Sequence, residues 1–238
     1  MIGLIGWLWW WLIPIRKRLA VDNYTDAFPE RDPRELRRTV GELVMGYIDL
    51  LRGRPVTLEN MDLVQQGGIC LAGHGGAWDL ALCAAAKAVP ATIFVKLPSN
   101  RIAAWWITRM RERSNIELLA PTGSAFAAFR ALRKGRLVVF VMDQRYNDGI
   151  RVPFFGRYAR TSQGFALMLH RTRAPLFGAW QWRDADGQHR LSIEALRFDI
   201  PDDVDAAVPA LTTASQAWTE RMIRTAPHSW LWLHDRWK

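Results

Sequence analysis

The chain has 238 residues, with 32 lysine and arginine residues against 23 aspartate and glutamate residues, and its formal net charge is +9. This length suffices for one α/β domain with a substantial core, and the sequence has no internal repeat and no low-complexity segment. So basic a surface favours anionic partners, such as nucleic acid, acidic lipid headgroups or an acidic carrier protein. The two cysteines lie in apolar segments, and nothing in their placement requires an oxidising compartment.

The N-terminal segment is almost wholly apolar up to Ile15, contains four tryptophans, and is followed at once by the basic triplet Arg16–Arg18. It is shorter than the roughly 20 residues that a membrane-spanning helix needs. It also fits a signal peptide poorly, because no basic residue precedes it and no small-residue cleavage site follows. We predict that residues 1–20 form a hydrophobic helix that anchors the protein in the membrane interface, and that residues 21–238 form the main domain. The alternative is a helix packed on the protein's own core.

The next segment begins with a polar stretch and continues with a pattern typical of an amphipathic helix. Residues 22–31 are polar and include Pro29, which predicts a connection. Asp32 and Pro33 form a typical helix start, and apolar residues then recur at spacings of three and four up to Leu51. The sequence therefore predicts a long amphipathic helix that ends just after Leu51.

The segment from Gly67 to Asp79 is the part of the chain around which the domain is organised. After two glycines an apolar run predicts a short buried strand, which ends in the glycine-rich stretch around His74. A helix is predicted from Ala77 to Val89. His74 therefore lies where a strand ends and a helix is about to begin, and in open α/β sheets ligands bind at that edge.

The spacing between His74 and Asp79 suits acid–base chemistry. A carboxylate four residues beyond the intervening turn can reach back to one imidazole nitrogen, fix the tautomer and stabilise the charged ring. The other nitrogen is then free to take a proton from a hydroxyl. The alternative is an ordinary loop histidine, with Asp79 favoured in the first helical turn by the helix dipole.

The rest of the chain alternates strands and helices, which predicts an α/β fold with a mostly parallel central sheet flanked by helices. The strand at 136–142 delivers Asp143 and Gln144 to the same edge of the sheet as His74. The segment 152–156 is apolar and is predicted to be irregular. Further strands are predicted at 92–96 and 116–119, helices at 101–113, 124–133, 162–173 and 201–225, and a hairpin with strands 176–182 and 190–196.

The helix at 101–113 carries a run of basic residues, Arg109, Arg111 and Arg113. Guanidinium groups match phosphate oxygens, so this run fits a phosphate site. The alternative is a solvated basic face.

Three motifs together resemble a known family. They are His74-x4-Asp79, then Asp143–Gln144 followed by the Val-Pro-Phe-Phe-Gly-Arg segment 152–157, and finally the Trp-Leu-Trp-Leu-His segment 230–234. Their sequence and order resemble the signatures of the bacterial lipid A biosynthesis (late) acyltransferases and the wider lysophospholipid acyltransferases. The resemblance covers the chain from His74 onwards.

The resemblance implies a glycerophosphate-acyltransferase-like fold and the transfer of a fatty acyl group from a thioester to a hydroxyl. His74 would be the general base, Asp79 would hold it, and Asp143 would orient the acceptor or support the site electrostatically. Backbone N–H groups near Gly75 and Gly76, or in the 152–156 segment, would stabilise the oxyanion. The residues that correspond to substrate-binding positions are Lys96, Asn100, Arg111, Gln144, Phe154, Phe155 and Arg157.

The implied donor is acyl-carrier protein, with acyl-coenzyme A possible, and no cofactor or metal is implied. The acceptor would be an anionic membrane lipid, such as a lipid A precursor or a related glycolipid or lysolipid. The protein would act peripherally on the cytoplasmic face of the bacterial inner membrane. Nucleic acid is not among the implied partners.

Three other classes of protein compete with this interpretation. A serine hydrolase is disfavoured because the sequence has no Gly-x-Ser-x-Gly motif. A metal-dependent hydrolase could use His74, Asp79 and Asp143, but the five histidines lack the paired spacing of metal ligands. A non-catalytic module that binds membranes or nucleic acid would explain the charge and the tryptophans, but not the histidine and aspartate motifs.

Overall fold

The computed structural model describes residues 1–95 and 100–238, with the side chains of residues 102 and 103 left aside. The helices are α1 (Ile2–Trp11), α2 (Lys17–Ala27), α3 (Leu36–Leu51), α4 (Trp78–Ala88), α5 (Arg101–Glu112), α6 (Ala125–Arg133), α7 (Gly164–Thr172) and α8 (Val204–Thr225). The strands are β1 (Val56–Glu59), β2 (Gly68–Ala72), β3 (Ala91–Phe94), β4 (Ile116–Leu119), β5 (Leu137–Val141), β6 (Ile150–Phe154), β7 (Arg157–Thr161), β8 (Leu176–Arg183) and β9 (His189–Ala195).

The main sheet has the strand order β1-β9-β8-β2-β5-β3-β4. All neighbouring strands in it pair in parallel except β8 and β9, which form the antiparallel hairpin that the sequence predicts. The predicted α/β fold with a mostly parallel central sheet flanked by helices is therefore confirmed.

The sheet is buried on both faces, which explains why its central strands read as continuous apolar runs. Ile69 and Leu71 of β2 join the core that contains α6, α7 and α8. Cys70, between them, faces the opposite core, which contains α4 and the inner side chains of β3 and β5. Both cysteines are buried free thiols.

The register of β2 and β5 places the ends of the two strands side by side. Ala72 pairs with Val141 in this parallel ladder. Two residues further along each strand direction stand His74 and Asp143, so both leave the sheet at the same carboxyl edge. The sequence prediction that they share this edge is confirmed.

The N-terminal segment forms two helices instead of one helix and a connection. α1 ends at Trp11, and α2 begins at Lys17 and runs through residues 22–27, which were predicted to be a connection. The break falls at Pro14 and at Arg16, whose φ of 54° lies in the left-handed region. Among the described residues no helix is both long and apolar enough to cross a membrane.

One side of α1 packs on the protein and the other does not. Gly6 and Gly41 lie where α1 and α3 approach too closely for a side chain. On the outer side of α1, Leu4 and Trp11 are 62% and 61% exposed, and in the turn that follows, Leu12 and Ile15 are 63% and 64% exposed. Packing on the protein and an exposed apolar surface are thus both present in the same helix and the turn that follows it.

Of the segment predicted to be irregular, residues 152–154 belong to β6, which pairs with β7 in a separate antiparallel hairpin, and Phe155 and Gly156 form the turn between them. Pro153 is tolerated there because a two-stranded ribbon consists only of edge strands. β1 was not predicted, and its four residues pair only with β9 at the edge of the main sheet.

Candidate active site

The imidazole of His74 is held by Asp143. Asp143 Oδ1 lies 2.8 Å from His74 Nδ1, and Asp143 Oδ2 accepts the backbone N–H of His74 at 2.6 Å. Asp143 is 1% exposed, so it is removed from water. A carboxylate that grips both the backbone and the ring of one residue fixes the orientation of that ring.

The prediction that Asp79 holds His74 is corrected by this geometry. Asp79 Oδ1 accepts from Arg111 Nε at 3.0 Å and from Arg111 Nη2 at 2.6 Å. The two side chains are 6% and 12% exposed, so the pair is largely buried. Asp79 is the second residue of α4, and its partner comes from α5; it therefore ties these two helices together beside the imidazole.

The electrostatics of the pair favour a charged imidazole. Burial lowers the pKa of His74, but the charge of Asp143, its hydrogen bond and the charge of Asp79 raise it, and the net shift is upward from 6.5. For Asp143, burial raises the pKa, but His74 and the other hydrogen-bond donors lower it to about 2. Asp143 is therefore a carboxylate at neutral pH.

The second ring nitrogen of His74 is directed away from Asp143. The side-chain amide nitrogen of Gln144 lies 3.3 Å from His74 Nε2. The Trp78 ring meets the imidazole edge-on, with ring centroids 5.0 Å apart. When the ring is neutral and donates Nδ1–H to Asp143, Nε2 keeps its lone pair, which is the state that a general base requires.

An apolar cavity of about 350 Å³ opens beside His74. It lies between α4 and the sheet, where small side chains leave space: Ala72, Ala85, Ala86, Ala91 and Ala179. Polar groups line it near His74, and the rest of its lining is aliphatic or aromatic. A pocket of this size with a few polar groups at one end suits a ligand with an apolar chain.

Side chains of β8 hold the loop that carries His74. Gln181 of β8 donates its side-chain amide to Gly73 O at 3.1 Å and to Gly75 O. Gly73 and Gly75 lie directly on the Trp180 ring, with no room for a Cβ atom. The glycines of this loop are thus required by the close approach of a buried indole.

Residues 229–231 form backbone hydrogen bonds with the same loop. Gly75 and Trp230 form an isolated antiparallel bridge, in which Gly76 N donates to Ser229 O at 2.7 Å. The backbone N–H of Phe155 donates to Glu220 at 2.6 Å. Both N–H groups lie in segments that were expected to supply the oxyanion donors, and the structure engages them elsewhere.

The remaining predicted substrate-binding residues have different outcomes. Lys96 lies outside the described residues. Asn100 stands at the start of α5, where its carbonyl accepts Ala104 N–H at 2.9 Å. Arg111 lines the cavity, but its guanidinium is bound to Asp79 and not left free for a phosphate.

Phe154 and Phe155, which were predicted to bind substrate, are 0% and 5% exposed and do not line the cavity beside His74. Their rings pack in an aromatic cluster with Phe28, Trp230, Trp232 and Trp237. Arg157 lies over the Trp237 ring and pairs with Asp26 at 2.5 Å. Phe154 and Phe155 thus anchor the hairpin by packing it against the aromatic cluster.

Sequence reasoning missed three residues at the site. Trp230 donates its indole N–H to Asp143 Oδ2 at 2.7 Å, although the motif at 230–234 was recognised without a role. Gln181 was hidden in an apolar strand, where a lone amide is itself a signal because burying it requires partners. Trp78 stood beside Asp79 in the motif and was passed over.

Taken together, the fold and the site define an α/β protein with a histidine held by a buried aspartate at the carboxyl edge of its sheet, next to an apolar cavity. The family model described as bacterial lipid A biosynthesis acyltransferase matches residues 54–238, the greater part of the chain. The chain belongs to this family.

The chain is also similar to individual relatives and to one solved structure. The chain is 28% identical over 144 residues to the lipid A biosynthesis palmitoleoyltransferase of Escherichia coli (strain K12) and to the lipid A biosynthesis acyltransferase of Shigella flexneri. Each match covers 59% of this chain and 45% of the relative, so the chain spans about half the length of the curated relatives it matches. A crystal structure of the 1-acyl-sn-glycerophosphate (LPA) acyltransferase PlsC from Thermotoga maritima has a TM-score of 0.46 at 15% identity, covering 97% of this chain and 96% of that one.

Proposed function

We propose that this protein transfers a fatty acyl group from a thioester to a hydroxyl of an anionic membrane lipid, with His74 as the general base. The observation that carries the proposal is the His74 ring itself. Its Nδ1 is bound to a buried carboxylate, and its Nε2 stands free of that carboxylate beside an apolar cavity. Membership of the acyltransferase family supports the reaction class.

The reaction needs no covalent enzyme intermediate. His74 Nε2 takes the proton of the acceptor hydroxyl as the oxygen attacks the thioester carbonyl. The tetrahedral intermediate then collapses, the carbon–sulfur bond breaks, and the imidazolium returns the proton to the departing thiolate. Asp143 stabilises the imidazolium between these two steps, which is the role that its short contacts with His74 suit.

Gln144 is our candidate for the oxyanion donor. Its amide lies beside the reacting nitrogen of His74, and side-chain amides serve this purpose in other acyl-transfer sites. Gln144→Glu removes the N–H donors at almost constant size and should lower kcat by about 10²- to 10³-fold. An unchanged kcat in that variant would contradict the assignment.

The apolar cavity is proposed to hold the acyl chain. Its polar end lies at His74, so a chain inserted into it would place the thioester carbonyl next to the base. The opposite arrangement would leave a charged headgroup among aliphatic side chains, which is costly.

The acyl donor is proposed to be carried by an acidic protein, with acyl-coenzyme A as the alternative. A second groove, of about 470 Å³, lies between α3, α4 and α5 and is lined by Arg54, Lys87, Arg109 and Arg113. These four side chains are exposed. A positively charged groove on an enzyme surface accelerates and orients the binding of an acidic partner.

Association with the cytoplasmic face of the bacterial inner membrane is proposed from the apolar surface of α1 and α3. Leu12 and Ile15 are exposed beside the basic residues that begin α2. On α3, Val44, Tyr47 and Leu51 form an exposed stripe, and Tyr47 also lines the cavity. An apolar surface with adjacent basic residues binds anionic bilayers.

The decisive experiment incubates the purified protein with labelled acyl-carrier-protein thioesters and a bacterial lipid extract, and detects new acyl-lipids by mass spectrometry. His74→Ala should abolish the product. His170→Ala is the matched control, because His170 lies on α7, away from the site, and its ring is hydrogen-bonded to the Asp202 carbonyl at 3.0 Å. Formation of free fatty acid without acylated lipid would identify a thioesterase instead, and equal product from His74→Ala would overturn the proposal.

A further inference from the structure

The indole of Trp230 contacts the carboxylate that holds His74. Trp230 Nε1 donates to Asp143 Oδ2 at 2.7 Å, and both side chains are 1% exposed. The same oxygen accepts the backbone N–H of His74 at 2.6 Å. Asp143 Oδ2 is thus saturated by two donors, and Oδ1 is left to face His74 Nδ1.

The position of Trp230 is fixed independently of Asp143. Its backbone belongs to the bridge with Gly75, and its ring packs edge-on against Trp232, with centroids 4.5 Å apart. Phe154 and Trp237 contact the same ring. An indole held this firmly can direct a carboxylate, because the cost of ordering its donor has already been met by packing.

We propose that Trp230 is a positioning residue for the acyl transfer: its N–H orients the Asp143 carboxylate and tempers its negative charge, and it thereby sets the basicity of His74. The proposal rests on the proposed role of His74 as the base. Trp230 does not line the cavity, so it acts through Asp143 and not by touching the substrate.

Other charged groups around the pair define the background against which Trp230 acts. Asp79 and Arg111 face the imidazole from α4 and α5. His234 and Arg236 approach the pair from the segment that also carries Trp230. His234 Nε2 accepts the backbone N–H of Arg145 at 3.1 Å, so His234 is neutral in this arrangement.

Removal of the indole N–H has a defined consequence. In Trp230→Phe the negative charge of Asp143 is less dispersed, so it stabilises the imidazolium more strongly. A larger fraction of His74 is then protonated at neutral pH. The acidic limb of the kcat/KM profile should move to higher pH, and kcat at pH 7 should fall about tenfold with little change in KM.

Trp232→Phe is the matched control. The Trp232 indole is equally buried and also donates a hydrogen bond, but to Pro227 O at 2.7 Å. Both variants lose one N–H and part of one ring, so they share the packing defect. Only Trp230→Phe should shift the pH profile. Equal profiles for the two variants, or a fall in kcat with no shift of the limb, would overturn the proposal.

A second measurement tests the same contact without replacing Trp230. Indole N–H resonances of ¹⁵N-tryptophan-labelled protein are followed with pH in a Trp78→Phe background, because Trp78 also touches the His74 ring. One indole resonance should titrate with His74, and none should do so once His74→Ala is added. If no resonance titrates in the first protein, Trp230 does not sense the pair and the proposal fails.

Failure of this proposal can be told apart from failure of the proposed function. Full activity of His74→Ala would remove the function on which it rests. Activity that depends on His74 but is indifferent to Trp230→Phe would remove the role of Trp230 alone.

Discussion

A histidine that is mostly protonated at the working pH is a poor base. The contacts of His74 set its pKa and therefore the fraction of the ring that is neutral. The charges of Asp143 and Asp79 together outweigh burial and raise its pKa above 6.5. The unprotonated ring therefore accumulates only as the pH rises through this raised value. Asp143 keeps its charge throughout, since its pKa is about 2.

The first prediction concerns pH. We expect kcat/KM to increase with pH along a limb that lies above 6.5 in the wild-type protein, measured with a soluble thioester donor. In Asp143→Asn the raising charge is gone and burial dominates, so the limb should move below that of the wild type. The tautomer is no longer fixed either, and kcat should fall by about 10²- to 10⁴-fold. A limb that stays in place in Asp143→Asn would contradict the pairing.

The same shifts predict how stability depends on pH. A raised pKa of His74 means that the ion pair stabilises the fold fully below 6.5, and that this contribution is lost as pH rises through the folded-state value. The lowered pKa of Asp143 has the opposite sign: its contribution is present above 3.8 and is lost as pH falls towards 2. Denaturant unfolding of wild type and His74→Ala across this range measures the difference.

The second prediction separates the two aspartates. Asp79→Asn leaves Arg111 buried without its carboxylate, which should destabilise the protein by about 3–5 kcal/mol. Adding Arg111→Leu should restore part of this loss, and a double-mutant cycle of unfolding free energies measures the coupling. The pH limb of Asp79→Asn should move less than that of Asp143→Asn. A larger movement would return Asp79 to the role that the sequence motif predicted.

The partner of His74, Asp143 and not Asp79, shows what sequence reasoning could reach. The sequence placed both carboxylates and the histidine at one sheet edge, because apolar runs and glycine breaks mark where strands end. It could not choose the partner, since Asp143 is 69 positions from His74 and meets it only through the β2–β5 register. The local spacing suggested Asp79 as the partner, with an ordinary loop histidine as the alternative, but Arg111, from another helix, binds that side chain.

At the scale of elements, the loop between β2 and α4 is shaped by the surface beneath it. The Trp180 ring packs directly against Gly73 and Gly75, and the side-chain amide of Gln181 donates hydrogen bonds to their carbonyls. From the sequence, these glycines mark only the end of a strand next to a candidate base. The structure adds a reason for the glycines themselves, the close approach of the Trp180 ring. Only the pairing of β2 with β8 makes this contact visible.

The third prediction follows from this contact. A methyl group at residue 73 would clash with the Trp180 ring and come within 3.2 Å of Asp143 Oδ2. Gly73→Ala should therefore lower kcat by more than tenfold and destabilise the protein by about 1–3 kcal/mol. Trp180→Leu in the same chain should recover part of the stability by making space. Gly3→Ala is the control, because an added methyl group there meets nothing within 4 Å. Full activity of Gly73→Ala would show that the loop is not constrained in this way.

The β6–β7 hairpin was mistaken for an irregular segment for a physical reason. Its sequence contains Pro153, and proline is rarely found in the interior of a sheet. The hairpin stands outside the main sheet, and its stability comes from Phe154 and Phe155 in the aromatic cluster. Packing against residues near 230 cannot be read from a local pattern.

At the scale of the whole molecule, the basic residues behind the net charge of +9 differ in what they contribute. Many basic side chains are paired with acids on the surface, where each pair contributes little to stability. The groove lined by Arg54, Lys87, Arg109 and Arg113 is different, since it gathers positive charge in a concave surface near the site.

The fourth prediction tests this groove. The triple change Lys87→Glu, Arg109→Glu and Arg113→Glu should raise KM for an acyl-carrier-protein thioester at least tenfold at low salt, with kcat almost unchanged. The KM for a small acyl-pantetheine thioester should not change. The control places the same three charge reversals on α6 and its end, at Arg130, Arg133 and Lys134. An equal effect of both triple changes would indicate a response to net charge and not to the groove.

The two ends of the described chain interlock beside the site. Asn23 of α2 donates to the carbonyls of Trp232 and His234 at 3.2 and 3.1 Å, across a sequence separation of up to 211 residues. During synthesis the strands that carry His74 and Asp143 leave the ribosome long before Trp230 does. Because non-local contacts form late and slowly, we expect the sheet to form largely before the segment with Trp230 docks and orients the base. The onset of activity should therefore coincide with the last step of folding, and restarting turnover after dilution from denaturant would report the docking of this segment directly.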